Sequence, residues 1–511
     1  MSDWTSGYVA DIGYTFGYYG ELNPLRVRLA FLNAGIVCPD IAVACELGFG
    51  QGLSANIHAA ASSIAWHGTD FNPAQAAFAR EIAQASGAAA NLYDESFAEF
   101  CAREDLPDFD YIGLHGIWSW ISLDNQKTII EFLRRKLKVG GILYISYNTL
   151  PGWASMVPMR HLLTQHAEVM AAPGRGTVSR IDAALDFAGK FLATNPAYGR
   201  ANPQIVERMK GVATQNRHYL AHEYFNRDWT PIHFAEMAEQ LAPAKLTYAC
   251  SAHYLSHVDG INLTAEQQAF LLDIPDAMFR ESVRDFIINQ QFRRDYWVKG
   301  ARRLSRLEQA EGLRNQRVVL AVPRTNVSLK TVGALGEATL QDSIYAPIID
   351  ILADYKPKAV GEVERLLHSK GIAFSQMVQA LLVLTGNGDV VAVQEDAAIG
   401  KAKGRTTKLN HYLMQKARGS GDISFLASPV SGGGVAVGRF QQLFLSALFQ
   451  GRKTPSEWAE FVWQVLSAQG QSLARDGKTL SSAEENLAEL VSQARQFAET
   501  QLPVLRALGV G

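Results

Sequence analysis

An apolar, β-branched run at 41–47, IAVACEL, passes straight into the glycine-rich turn ELGFGQG (46–52) and then into an alanine-rich, helix-prone stretch up to 61. A buried strand, a tight turn and a helix in immediate succession constrain the fold more than any other feature of this chain. The same alternation continues downstream. SIAWHGTD (63–70) reads as a second buried strand, and NPAQAAFAREIAQAS (72–86) opens on an Asn-Pro helix-start signal. NLYD (91–94), FDYIGLHG (109–116) and GGILYISYN (140–148) supply three further strands, the last after a helix around 124–136. Strands alternating with helices of this length predict parallel βαβ units, and so an α/β, Rossmann-like, doubly wound and mostly parallel sheet.

The turn carries the chemistry. Gly48 and Gly50 let the backbone bend sharply and approach a ligand, while the helix N-terminus beyond presents free amides. A dinucleotide-binding G-x-G-x-x-G would place its last glycine where this chain has Leu53. That departure argues against a pyrophosphate and a nicotinamide cofactor. S-adenosylmethionine has no pyrophosphate, and its zwitterionic amino-acid tail suits a turn flanked by Glu46. Asp70 closes the second strand just over twenty residues later, where an acidic group accepts hydrogen bonds from a ribose diol. Asp94, Ser96 and Phe97 follow the third strand, where an adenine would be held. Three such features in register with three successive strands predict a nucleoside site.

Methyl transfer from a sulfonium is an in-line displacement that needs alignment and no metal. Ligands of open α/β sheets bind at the carboxyl ends of the strands, which directs attention to HGIWSW (115–120) and SYNTLPGW (146–153). His115, Trp118, Trp120, Tyr147, Asn148 and Trp153 are therefore the candidates for an acceptor channel, and aromatic walls suit a cationic substrate. His222 and Glu223 open like a zinc-protease helix, but Asn226 stands where the second histidine belongs, so no metal is expected there.

With 511 residues the chain is too long for one core. Residues 155–215 read as mostly helical, broken at 172–176 and at Asn195-Pro196, either inserted into the first domain or forming a separate one. Residues 231–254 return to helix and strand as the last sheet elements. Residues 265–315 read as helical and charged. Three amphipathic helices (343–355, 359–371, 374–386) followed by NGDVVAV (387–393) predict a winged-helix-like module, residues 398–408 and 431–434 punctuate the chain, and 439–511 is mainly helical. The expected domains are 1–260 (sheet, with the insertion at about 155–215), 261–330 (helical regulatory or linker region) and 331–511 (winged-helix-like and helical).

A net charge of -2 gives no global drive toward nucleic acid or anionic membrane. The would-be recognition helix FSQMVQALLVL lacks the charge a DNA-reading helix needs, so no nucleic-acid partner is expected. No apolar run is long enough to span a bilayer, and the N-terminus lacks the layout of a secretory signal. The four cysteines lie far apart with no C-x-x-C pair. A soluble cytoplasmic protein without disulfides is the expectation.

ELGFGQG followed by GTDFNP, HGIWSW and SYNTLPGW resembles the class I methyltransferases that carry a methyltransferase regulatory domain, among them rickettsial protein-lysine methyltransferases that modify outer-membrane proteins. YTFGYYGELNPLRVRLAFLNAG (14–35) resembles that family's cofactor-covering segment, with Tyr14, Tyr18, Tyr19 and Pro24 in similar places. HYLAHEYFNRDWTPIHF (218–234) and RESVRDFIINQQFRRDYWVKG (280–300) resemble the regulatory-domain signatures, and LASPVSGGGVAVGRFQQLFL (426–445) the end of the C-terminal domain. The resemblance covers most of the chain. It implies S-adenosylmethionine as cofactor at Glu46, Gly48, Gly50, Asp70, Phe71, Ser96, Phe97 and His115, and protein lysine as acceptor, with an outer-membrane or surface protein before export among the candidate substrates. It leaves a homodimer open. Two other readings stay open: a small-metabolite or saccharide acceptor, and a non-catalytic nucleoside-binding regulator.

Overall fold

A computed structural model describes residue 13, residues 15–170, residue 174, and residues 176–475 and 477–511. Tyr14 and most of the 172–176 break lie outside the described residues. The N-terminal half is built on a seven-stranded sheet in the order β3-β2-β1-β4-β5-β7-β6. Its strands are β1 (Val43–Leu47), β2 (Ala65–Thr69), β3 (Ala90–Tyr93), β4 (Phe109–Leu114), β5 (Leu137–Asn148), β6 (Leu246–Ser251) and β7 (Phe292–Lys299). β1 to β5 pair in parallel, and β7 inserts antiparallel between β5 and β6. Helices α1 (Pro24–Asn33), α2 (Leu53–Ala61), α3 (Pro73–Ser86), α4 (Phe97–Ala102) and α5 (Leu123–Lys136) precede and connect the strands. This is the Rossmann-like class I methyltransferase fold.

The local signals explain the elements. Asn72 caps α3 by accepting from the amides of Ala74 and Gln75, with Pro73 at the first helical position. Ser96 and Glu99 form a capping box at α4. α2 is buried along its whole length, which accounts for its small residues. One face packs on the sheet. The other packs on the C-terminal half, where Leu53, Ile57 and Ala60 share a core with Leu409, Leu413 and Leu426.

The strand Phe292–Lys299 corrects the helical reading of 265–315 and carries the sheet beyond residue 260. Its charges disguised it. Arg293 and Asp295 are buried in the middle of the sheet, and Arg293 bonds Asp295 (2.8 Å), Asp285 (2.6 Å) and Glu281 (3.0 Å). Mutual neutralisation lets a strand of this composition enter the interior.

Helices Val157–Val169, Thr177–Ala193, Ala197–Ala201, Pro203–Ala213 and Arg217–Tyr224 are inserted between β5 and β6, with their own core of Met156, Met159, Leu163, Ile181, Leu185, Ile205 and Leu220. Downstream, strands Arg317–Leu320, Lys358–Ala359 and Val390–Ala392 form a small antiparallel sheet beside helices Asp342–Leu352, Val360–Leu367 and Phe374–Asn387, a winged-helix-like arrangement. The last of these helices is largely buried, and its Gly386 lies against Leu255 of the N-terminal half. Residues 398–408, expected to punctuate the chain, instead lie inside one long helix, Asp396–Lys416. Packing on α2 and α3 outweighs the helix-weakening effect of Gly400 and Gly404. A turn does fall within 431–434: Gly432, with φ +67°, lies between strands Phe425–Ser428 and Gly433–Ala436, which pair in a hairpin. Among the described residues no helix is long and apolar enough to cross a membrane, and all four cysteines are free thiols.

Replacing Arg293 by Ala strands three carboxylates in or beside the sheet. Urea unfolding of Arg293→Ala is expected to show a loss of about 3–5 kcal/mol, the scale for removing one partner of a buried ion pair. Arg28→Ala, which breaks an exposed pair with Asp40, leaves the midpoint unchanged.

Candidate active site

The carboxyl ends of β1, β2, β3 and β4 converge on a cavity of about 300 Å³. β1 delivers Glu46 and the glycine turn, β2 delivers Asp70 and Phe71, β3 leads into Glu95, Ser96 and Phe97, and β4 leads into His115, Gly116 and Ile117. Gly48 and Gly50 adopt φ values of +73° and +57°, in the left-handed region that side chains strain. A Cβ on Gly48 would also sit 2.9 Å from the Ile117 side chain. The turn is tied to β2 by Asp70, whose Oδ2 accepts from the Gly50 amide (2.8 Å) while Oδ1 accepts from Asn72 (3.0 Å).

The electrostatics of the cavity are unusual for an interior. Glu46 is buried, and among the described residues its Oε2 has no hydrogen-bond partner. Burial, reinforced by the neighbouring Asp70, pushes Glu46 up to about 8. Burial likewise pushes Asp70 up to about 7, against the two amide bonds it accepts. Glu95 is held through Oε1 by Arg103 (2.6 Å), and its buried Oε2 has no partner among the described residues. Two orphaned carboxylate oxygens in one cavity are two acceptors awaiting donors.

His115 forms an aromatic wall. Its ring stacks on Tyr19 at 3.8 Å, and Nδ1 lies 2.7 Å from the Tyr144 hydroxyl. Burial pushes His115 down to about 4, so the ring is neutral at pH 7 and a poor proton acceptor. His222 and Glu223 at the end of the helical insertion, Asn226 and Asp228 just beyond it, and Trp120, Ser122 and Asn125 also line the cavity. Trp120 is buried, and its indole N–H donates to the Glu223 carbonyl (3.3 Å). Burial raises the Glu223 carboxyl to about 7.

Among the residues singled out in the sequence, Glu46, Gly48, Gly50, Asp70, Phe71, Ser96, Phe97, His115, Tyr19 and Trp120 line this cavity together. Five others do not. Asp94 is half-exposed and paired with Arg80 (2.5 Å), so the neighbouring Glu95 takes the place expected of it. The Ser96 hydroxyl is committed to the α4 capping box. Trp118 lies wholly in the core beside Phe132 and Met237, with its N–H on Gln240 (3.3 Å). Tyr147 is buried, and its hydroxyl donates to Asp295 (2.8 Å). Asn148 is buried, its backbone N–H donating to the Ser119 hydroxyl (2.9 Å), and Trp153 belongs to the core of the insertion. The end of β5 is roofed by Ile232, whose N–H donates to the Asn148 carbonyl (3.1 Å). Glu95 and Glu223 are what the sequence reading missed. Glu95 is one residue from the expected acidic position, and Glu223 was weighed only as part of a metal motif.

A doubly wound sheet with a glycine turn and acidic strand ends defines a nucleoside-binding α/β protein. Residues 216–299 match the predicted methyltransferase regulatory domain, and in this fold that segment supplies β6 and β7. An uncharacterized protein of Synechocystis sp. is 40% identical over 512 residues, 99% of each chain. An uncharacterized Rickettsia prowazekii protein is 26% identical over 302 residues, 56% of this chain and 53% of that one. The structure of PKMT2 from Rickettsia typhi in complex with AdoHcy superposes with a TM-score of 0.72 at 18% identity, covering 98% of this chain and all of that one (100%). The chain belongs to one full-length family with the Synechocystis protein, and it carries a methyltransferase regulatory domain on the class I methyltransferase fold.

The raised Glu46 carboxyl fixes a pH dependence. Its value in the fold lies above the ordinary 4.5, so the ligand-free protein loses stability as pH rises from about 4.5 to about 8, where the unfolded chain binds fewer protons than the folded one. Glu46→Gln removes this term. Thermal unfolding of the ligand-free variant is expected to match the parent near pH 4 and to exceed it increasingly up to pH 8; a constant offset across that range contradicts the assignment.

Tyr147→Phe is expected to lower stability by about 1–3 kcal/mol, through loss of the bond to Asp295, without changing ligand affinity. Denaturation and calorimetry on the same variant check both halves.

Proposed function

We propose that this protein is an S-adenosylmethionine-dependent methyltransferase that modifies lysine side chains of protein substrates. The observation that carries the reading is the cavity at the ends of β1 to β4, with the orphaned oxygens of Glu46 and Glu95 on either side of Asp70 in strand order. The residues present fit the cofactor. Asp70 retains lone pairs for a ribose diol. Glu95 Oε2 is an acceptor for the adenine amine, with Phe71, Phe97 and Ile117 as apolar walls. Glu46 and the glycine turn suit the ammonium of the amino-acid tail. AdoHcy in the Rickettsia typhi PKMT2 structure supports the same reading.

When bound, S-adenosylmethionine supplies an electrophilic methyl group on a positively charged sulfur. This chain's own part is to exclude water, align the acceptor and manage its proton. Trp120, Glu223 and Asp228 give the cavity lining both aromatic and acidic character, which favours a cationic acceptor over a neutral hydroxyl. A lysine amine, with a pKa of about 10.4 in water, reacts only after losing a proton. Glu223, held near 7, is the cavity group suited to receive that proton before the amine attacks.

Calorimetry with AdoHcy is expected to show binding to the parent and a loss of about 10–100-fold in Asp70→Ala, the scale of a charge-assisted hydrogen bond. Unchanged affinity contradicts the ribose assignment. Labelled methyl groups are expected in methyl-lysine of acid-hydrolysed lysate protein. Label confined to small molecules refutes the protein acceptor. Glu223→Gln is expected to reduce kcat by about 100-fold while leaving AdoHcy affinity within about twofold.

A further inference from the structure

The segment ahead of α1 puts alternate residues in two different surroundings. Thr15, Gly17 and Tyr19 line the cavity. Phe16 and Tyr18 face the other way and pack against the core formed by α2 and the C-terminal half. Tyr18 meets the hairpin Phe425–Ser428/Gly433–Ala436. Its ring lies 4.8 Å from that of Phe425, and its hydroxyl accepts the Gly434 N–H at 2.7 Å. The same hydroxyl lies 3.1 Å from Nε2 of His58 on α2. Burial pushes His58 down to about 3, so its neutral ring can accept a hydrogen bond from the tyrosine hydroxyl. Nearby, Asn23 donates to the Ser431 carbonyl (3.5 Å).

The glycines of SGGG (431–434) are what make room. A Cβ on Gly434 would sit 2.8–2.9 Å from three atoms of the Tyr18 ring, and one on Gly433 would sit 2.6 Å from its hydroxyl. Neither residue has a positive φ, so their absent side chains serve the close approach and not the turn. The strap is also held from beneath, where the Tyr19 N–H donates to the Ser54 hydroxyl (2.9 Å). Tyr18 is therefore fixed by a domain more than 400 residues downstream, and Tyr19, the next residue, is stacked on His115 inside the cavity.

The structure assigns the glycine hairpin of the C-terminal domain a positioning role: it is a socket for Tyr18 that holds the strap closed over the bound cofactor. This rests on the cofactor reading above and gives the C-terminal half a part in it. Tyr18 and Gly434 act through the strap and touch no reacting atom.

The test uses the full-length protein and two variants. Gly434→Ala drives the Tyr18 ring out of the socket. Tyr18→Phe keeps the ring but loses both hydroxyl contacts, and it preserves a folded reference should the glycine variant misfold. Two readouts are taken: amide exchange of residues 15–22 in the ligand-free protein, and AdoHcy affinity with its dissociation rate. Both variants are expected to lose strap protection. AdoHcy affinity is expected to fall at least about tenfold in Gly434→Ala and less in Tyr18→Phe, through faster dissociation, with KM for S-adenosylmethionine raised and kcat within about twofold. Lost protection with unchanged affinity overturns the coupling. Retained protection in both variants overturns the socket, whatever happens to affinity. Failure of the parent to bind AdoHcy at all is a distinct result, which overturns the cofactor reading and the coupling with it.

Discussion

The structure depends on the burial of one short helix. Every residue of α2, Leu53–Ala61, is buried, so the element that begins at the glycine turn has no face in water. The sheet covers one side and the long helix Asp396–Lys416, with the neighbouring hairpin, covers the other. Even its terminus is completed from afar. The carbonyl of Ala61 accepts from the Gln394 amide (2.6 Å) and that of Ser62 from Arg405 (2.5 Å), which satisfies acceptors a helix end leaves open. A turn whose glycines are already in left-handed backbone needs such rigid support to hold its shape. The C-terminal half supplies it, so the two halves are one mechanical unit at the cavity.

A second constraint is charge in the interior. The strand Phe292–Lys299 is the last piece of the segment matched to the regulatory domain, and it lies inside the sheet. Arg293 is compensated by three carboxylates, one of which also receives the Tyr147 hydroxyl. The cavity carries the opposite arrangement. Glu46 and Glu95 retain carboxylate oxygens with no partner among the described residues, and Glu46 and Asp70 are pushed toward protonation. Arg293 is bonded by the protein's own carboxylates, whereas the orphaned oxygens of Glu46 and Glu95 belong to residues that line a cavity a ligand can enter.

Much of this was legible from residue order. The strands β1 to β5, the glycine turn and Asp70 each have a local signature, since apolar runs, glycine spacing and strand-end carboxylates are set by nearest neighbours. What escaped the reading was decided at long range. Phe292–Lys299 looks like a charged helix until its partners from 281–285 are brought alongside. Tyr147, Asn148 and Trp118 sit in words that point to a site, yet Ile232 and Gln240 close over them from the insertion side. Glu223 reaches the cavity only because the helices between β5 and β6 fold back over the strand ends. The run at 398–408 is helical because α2 and α3 need a cover, which no local propensity announces.

The central claim is that the crevice at the ends of β1 to β4 holds a methyl-donor nucleoside. A crystal structure grown with AdoHcy addresses it most directly. The account predicts the ribose hydroxyls on Asp70, the adenine amine on Glu95 between Phe71 and Ile117, and the amino-acid tail over the glycine turn beneath Tyr19. Density for the nucleoside elsewhere, or a crevice closed by its own side chains at saturating ligand, would contradict it.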